Sequence, residues 1–63
     1  MIGVLNITDQ TTGTEVIISV WHIETYQIVE EWPVVTMSSG RQIILGVEDA
    51  AIVKQAFLKR SMK

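Results

Sequence analysis

Short runs of β-branched residues, separated by turn residues, are the feature that most limits how this chain can fold. Isoleucine, valine and threonine account for 23 of the 63 residues, and their branched side chains fit a pleated sheet better than a helix. Glycine, proline and polar clusters interrupt these runs at short intervals. We therefore predict five short strands, at about residues 2–8, 15–19, 23–30, 34–38 and 42–46.

The breaks between the runs carry recognisable turn chemistry. Residues 9–14 form a polar cluster in which Gly13 can adopt a positive φ. The Trp32-Pro33 pair predicts a turn, because proline lacks an N–H donor and restricts the residue before it. Residues 38–41 lie between two apolar runs and give the clearest hairpin signal, with Gly40 as the left-handed residue.

A helix is predicted near the C-terminal end, where the apolar residues change to helical spacing. Acids open this segment and bases follow, which complements the helix macrodipole. We expect a helix from about residue 48 to 60, and a kink or bulge near residues 19–22, where strand alternation fails. The predicted fold is α+β: one domain over residues 1–63, with four to five strands in a small twisted antiparallel sheet or partial β-barrel and one C-terminal helix.

Small size combined with high apolar content predicts self-association. A chain of about 60 residues buries only roughly 60% of the surface that its unfolded form exposes, yet 48% of these residues are hydrophobic. There is no cysteine, and the single histidine, His22, leaves too few ligands for a closed zinc site. We predict no metal or other cofactor, and a homo-oligomer whose copies cover each other's excess apolar surface.

The distribution of charge and hydropathy excludes some classes of protein. No stretch approaches the roughly 20 apolar residues of a membrane span, and the first residues lack the basic flank of a signal peptide. We therefore expect no membrane span and a cytoplasmic location. The net charge of −2 argues against a general nucleic-acid binder, and it is unevenly spread, with −6 over residues 1–53 and +4 over residues 54–63.

The large aromatic residues outside the helix are the best candidates for contacts with another protein. Tryptophan and tyrosine are enriched in protein interfaces and at their energetic hot spots. We therefore predict Trp21, Tyr26 and Trp32 as contact anchors, and Lys59 and Arg60 as residues that contact the partner electrostatically.

The alternative is a small β-barrel that binds single-stranded nucleic acid. In that case Trp21 and Trp32 would stack bases while Arg41, Lys54 and Lys59 contacted phosphates. The acidic strands oppose this alternative, because affinity for phosphate depends on clustered cations.

Acid–base chemistry has one candidate pair, His22 with Glu24, which would share a face of one strand. Only Ser19 or Thr25 could supply a nucleophile nearby, and a triad also needs an oxyanion site. We predict no catalytic residues and interpret His22 as a partly buried or interface histidine. The Glu30-Glu31 pair is interpreted as a solvated strand end.

Several segments resemble the FlbD-type family of small flagellar or swarming-motility proteins. The resemblance lies in Gly13-Thr14-Glu15, Ile23-Glu24-Thr25, the hairpin from Val35 to Leu45, and Glu48-Asp49, and it covers roughly residues 13–58. It implies a cytoplasmic accessory of motility and no catalytic residues. The function predicted from the sequence is therefore a non-enzymatic, homo-oligomeric module that docks another protein.

Overall fold

The structure is a computed structural model that describes residues 3–61. It contains five strands, one short 3₁₀ helix and one α-helix: β1 (Val4–Asp9), β2 (Thr14–Ser19), the 3₁₀ helix (Val20–His22), β3 (Ile23–Val29), β4 (Trp32–Met37), β5 (Gln42–Ile44) and α1 (Val47–Ser61). All strand pairs are antiparallel, with β1 and β2 in one sheet and the order β3-β4-β5 in the other. The predicted α+β fold is confirmed. Ile2, at the start of the first predicted strand, lies outside the described residues.

Two contacts of β1 connect the separate sheets and the helix. At the end of β1 the Gln10 N–H donates to the Ile44 carbonyl of β5 at 2.9 Å. In the first turn of α1, the Asp49 carboxylate accepts a hydrogen bond from the Thr8 N–H at 2.8 Å. The outer edge of β1 is therefore used within the molecule.

The core lies between the inner faces of both sheets and one face of α1. Helix α1 contributes Ala50 and Val53 to the core. The other core residues come from the five strands, the 3₁₀ helix and the position after β5: Ile7, Ile18, Val20, Ile23, Val35, Met37, Ile43 and Leu45. Alternate strand residues point away from this core, as the two-residue period of a strand requires. Close packing of branched aliphatic side chains is the main source of stability in such a fold.

Turn chemistry was predicted correctly at two positions and wrongly at a third. Gly13 and Gly40 have φ values of 74° and 94°, which confirms both as left-handed residues. The turn predicted at Trp32-Pro33 is wrong, because these residues begin β4 and the chain reverses at Glu30-Glu31, with φ values of 50° and 73°. Two consecutive positive φ angles are typical of the two-residue hairpin turn whose twist matches that of the flanking strands.

The remaining local predictions agree with the structure. The kink expected near residues 19–22 is the 3₁₀ helix, and α1 begins one residue before the predicted start. Among the described residues, no helix combines the length and the apolar content that crossing a membrane requires.

Candidate interaction surface

The end of the β3–β4 hairpin carries three exposed apolar side chains. Ile28, Val29 and Trp32 are 62%, 45% and 53% exposed, and we call these three residues the hairpin end. Val29 is paired with Trp32 and Ile28 with Pro33, whereas β5 pairs only with residues 34–36 of β4. Because side chains alternate across a strand, the hairpin end presents apolar surface on both faces of the sheet. This part of the hairpin therefore extends beyond β5, the neighbouring strand of the sheet.

The outer edge of β3 has unpaired backbone groups. The Leu45 N–H donates to the Pro33 carbonyl at 2.9 Å, so this carbonyl points toward β5 and away from β3. Its cross-strand partner Ile28 must then point its own N–H and C=O outward, and so must Tyr26 two residues earlier. Within residues 3–61, no backbone group outside the strand ladder bonds to Tyr26 or Ile28.

This free edge lacks the features by which natural sheets prevent unwanted pairing. Such edges usually carry lysine, proline or inward-pointing charge. Residues 24–29 read Glu-Thr-Tyr-Gln-Ile-Val, with one acid and neither lysine nor proline. A bulge between Ile23 and Thr25 disturbs only the first residues of the strand. From Thr25 onward the edge is regular and is suited to accept a further strand.

Arg60 of α1 covers the beginning of the same edge. Its Nη1 donates to the Val20 and Ile23 carbonyls at 2.6 and 2.9 Å, and its guanidinium lies 4.5 Å from the centre of the Phe57 ring. Arg60 is half-buried and holds the end of the helix against the 3₁₀ helix. The structure thus gives Arg60 partners within the chain, while its predicted role toward another molecule stays a prediction.

The structure separates the three aromatic residues predicted as anchors. Trp21 is 58% exposed on the 3₁₀ helix, before β3 begins, whereas Trp32 lies beyond its far end. The seven residues of β3 place these two positions roughly 20 Å apart. Tyr26, between them, is half-buried and packs against the core. Lys59 is exposed on α1.

A groove of about 320 Å³ lies between β2 and the β4–β5 turn. Its polar lining includes His22, Ser38 and Arg41. The His22 Nδ1 lies 3.3 Å from the Ser38 Oγ, and Arg41 lies 3.6 Å from the buried carboxylate of Asp9. The prediction that His22 shares one strand with Glu24 is wrong, because His22 ends the 3₁₀ helix.

The predicted stacking and phosphate contacts of the nucleic-acid alternative are not brought together. Arg41 follows the turn after β4, whereas Trp32 begins β4 and is therefore at the opposite end of that strand. The two residues before Trp32 are Glu30 and Glu31, whose charge would repel phosphate. We therefore find no observation that favours this alternative.

Ile28 and Val29 were not among the residues predicted from the sequence. Their one signal was two consecutive apolar residues before the acidic pair, which leaves an apolar side chain on each face of the strand end. That signal alone does not say whether a neighbouring strand covers either face. No protein-family model, no curated protein and no solved structure matches this chain.

Proposed function

We propose that this protein is a non-enzymatic interaction module that works as a homo-oligomer and docks another protein. The observation that carries the proposal is the hairpin end, three large apolar side chains beside an unpaired strand edge. Large apolar side chains that stay exposed together in this way are typical of sites of protein association. Trp32 belongs to a residue type that is enriched at the energetic centres of interfaces.

The apolar contacts alone would give only a weak assembly. Side chains of this size at half exposure offer roughly 100 Å² each, or about 2.5 kcal/mol at 25 cal/mol per Å². Three of them supply about 7.5 kcal/mol, and association costs about 4–15 kcal/mol in lost freedom of motion. Backbone hydrogen bonds or further contacts must add to the hairpin end if the assembly is to form at micromolar concentration.

The test is the mass of the native species across a dilution series, measured by sedimentation velocity. We expect a mass above that of one chain at high concentration, falling on dilution. Trp32→Ser should shift the transition to higher concentration by at least tenfold, because it removes roughly 100 Å² of apolar contact per copy. Trp21→Ser is the matched control, since Trp21 is similarly exposed at the other end of β3.

Two results would contradict the proposal. A single-chain mass at every concentration up to millimolar would exclude a homo-oligomer. A loss of assembly in Trp21→Ser, with Trp32→Ser unchanged, would move the contact to the 3₁₀ helix and away from the hairpin end. The cytoplasmic location and the motility role follow from the sequence and the family resemblance alone, and both stay predictions.

A further inference from the structure

We propose that the free edge of β3 pairs in antiparallel fashion with the same edge of a second copy. The two copies would then form one continuous sheet with three strands from each. This inference rests on the proposed homo-oligomer and specifies how its subunits meet. A two-fold axis beside the middle of β3 would make the contact self-complementary, as closed dimers require.

The other strands are shorter than β3, and one of their edges is already bonded within the chain. The outer edge of β1 bonds to Asp49 and, at its end, to β5 through Gln10 and Ile44. The outer edge of β2, six residues long, has no strand beside it in the part of the chain that the structure describes, and it borders the groove that Ser38 and Ser39 of the β4–β5 turn help to line. Since β5 is only three residues long, β3 is the longest edge that remains open among the described residues.

The ends of the β3 edge have opposite charge, which favours a second copy in antiparallel orientation. Arg60 is bonded to the Ile23 carbonyl at the beginning of the edge, and Glu30 and Glu31 follow its last residue. Antiparallel pairing about the strand centre brings the acidic turn of each copy toward the Arg60 of the other. Parallel pairing would instead place the two acidic turns side by side, where like charges repel.

The side chains of β3 are also compatible with those that would lie opposite them in a second copy. With the axis beside Gln27, Tyr26 lies opposite Ile28 of the second copy, and Thr25 lies opposite Val29. With the axis beside Tyr26, the two tyrosines face each other and Thr25 faces Gln27. With the axis beside Tyr26, the outward N–H and C=O groups of the two tyrosines bond to each other. With the axis beside Gln27, the outward groups of Tyr26 bond to those of Ile28 in the second copy, because both residues point these groups away from β4. The exposed part of Ile28 is covered in the same step.

Single cysteines can detect this pairing, because the natural chain has none. The variants are Thr25→Cys, Tyr26→Cys, Gln27→Cys and Ile28→Cys, each oxidised in a thiol–disulfide buffer and scored for covalent dimer. Residues directly opposite in an antiparallel pair have Cα atoms about 4.5–5.5 Å apart, which is within disulfide range. Ile17→Cys is the control, an exposed isoleucine on β2 of the other sheet.

We expect the covalent dimer to form fastest at Tyr26 or Gln27, several-fold faster than in Ile17→Cys. A maximum at Thr25 or Ile28 would also support edge pairing and would place the axis there. Cross-linking of Ile17→Cys at a rate equal to or above all four would overturn the proposal. Thermal melts of the variants identify any that fail to fold.

A second pair of variants keeps the test decisive if a cysteine disturbs the fold. Ile28→Lys should raise the dimer dissociation constant at least tenfold, whereas Ile17→Lys should leave it within about twofold. Equal effects of the two lysines would contradict edge pairing. If the wild-type chain is oligomeric while both tests fail, self-association stands and this contact is wrong. If the wild-type chain is monomeric and no β3 cysteine cross-links, both proposals fail and the edge is left for a strand of another protein.

Discussion

Arg60 shows how one residue of the basic tail acquires a structural role. In the sequence it is one of four bases in the last ten residues, and it was predicted as an electrostatic contact to another protein. In the structure its guanidinium joins two carbonyls at a break between strands and covers the Phe57 ring. A planar group with several donors suits this task, because it can bond two acceptors while its face stacks on an aromatic ring.

The first prediction is that Arg60→Gln destabilises the fold. The shorter, neutral amide cannot reproduce the charged hydrogen bonds to Val20 and Ile23, so the free energy of unfolding should fall by about 1.5–3 kcal/mol. Lys59→Gln, next to it but exposed, should change it by less than about 0.5 kcal/mol. Urea denaturation measures both values. Similar losses in the two variants would show that charge alone, rather than the two bonds, is responsible.

The second prediction concerns the left-handed residues of the two hairpin turns. Glu31 has a φ of 73° although it carries a Cβ, so Glu31→Gly should raise the free energy of unfolding by about 1 kcal/mol. Gly40 has a φ of 94°, and a Cβ added there would meet nothing within 4 Å. Gly40→Ala should therefore lower the free energy by about 1–2 kcal/mol through backbone strain alone. Urea denaturation measures both values. If the free energy of unfolding changed in the same direction in Glu31→Gly and Gly40→Ala, this interpretation would be contradicted.

At the scale of elements, the sequence predicted the strands well because their signals are local. Runs of β-branched residues bounded by Gly13 and Gly40 placed the strands near their observed bounds. The reversal at Glu30-Glu31 contains neither glycine nor asparagine, so the sequence pattern favoured a turn at the nearest proline, Pro33. Pro33 is tolerated inside β4 because its nitrogen points away from β3, and its carbonyl still accepts a bond from Leu45.

The candidate site was less predictable because it depends on long-range pairing. Trp32 was predicted from its residue type, and it is exposed. Ile28 and Val29 are exposed because β5 ends at Ile44 and because β3 lies at the edge of its sheet. No local pattern encodes either fact. The intramolecular use of Arg60 likewise depends on where the helix packs.

The third prediction concerns the connection between α1 and β1. Asp49→Ala removes the carboxylate that accepts the Thr8 N–H and leaves that partly buried donor without its partner. The free energy of unfolding should fall by about 1–3 kcal/mol. Glu48→Ala is the control, because it removes the same charge from the same helical turn but is exposed. The difference between the two variants in urea isolates the hydrogen bond from the helix macrodipole, and no difference would mean that the bond contributes nothing measurable.

At the scale of the whole molecule, apolar surface is left on several sides. Nine large apolar side chains are exposed among the described residues, including Val47 and Leu58 on α1 and Ile17 on β2. Only at the hairpin end do such residues adjoin free backbone groups and charges of opposite sign at the two ends of one strand. This combination supports directional pairing there, whereas scattered exposed residues are normal for a small protein.

The last prediction tests the charge arrangement of the proposed dimer. Glu31→Lys should raise the dimer dissociation constant about tenfold at low salt, because symmetry reverses the attraction toward Arg60 at two places in the dimer. Lysine also replaces glutamate without changing the demand on the backbone at this left-handed position.

The control is Glu15→Lys, which produces the same change of net charge, from −2 to 0, on β2 and away from the β3 edge. Its dissociation constant should stay within about twofold of the wild-type value. Sedimentation at high salt should remove most of the difference, because exposed charges are then screened. An equal effect of both lysines would mean that net charge controls assembly, and that the acidic turn has no specific partner.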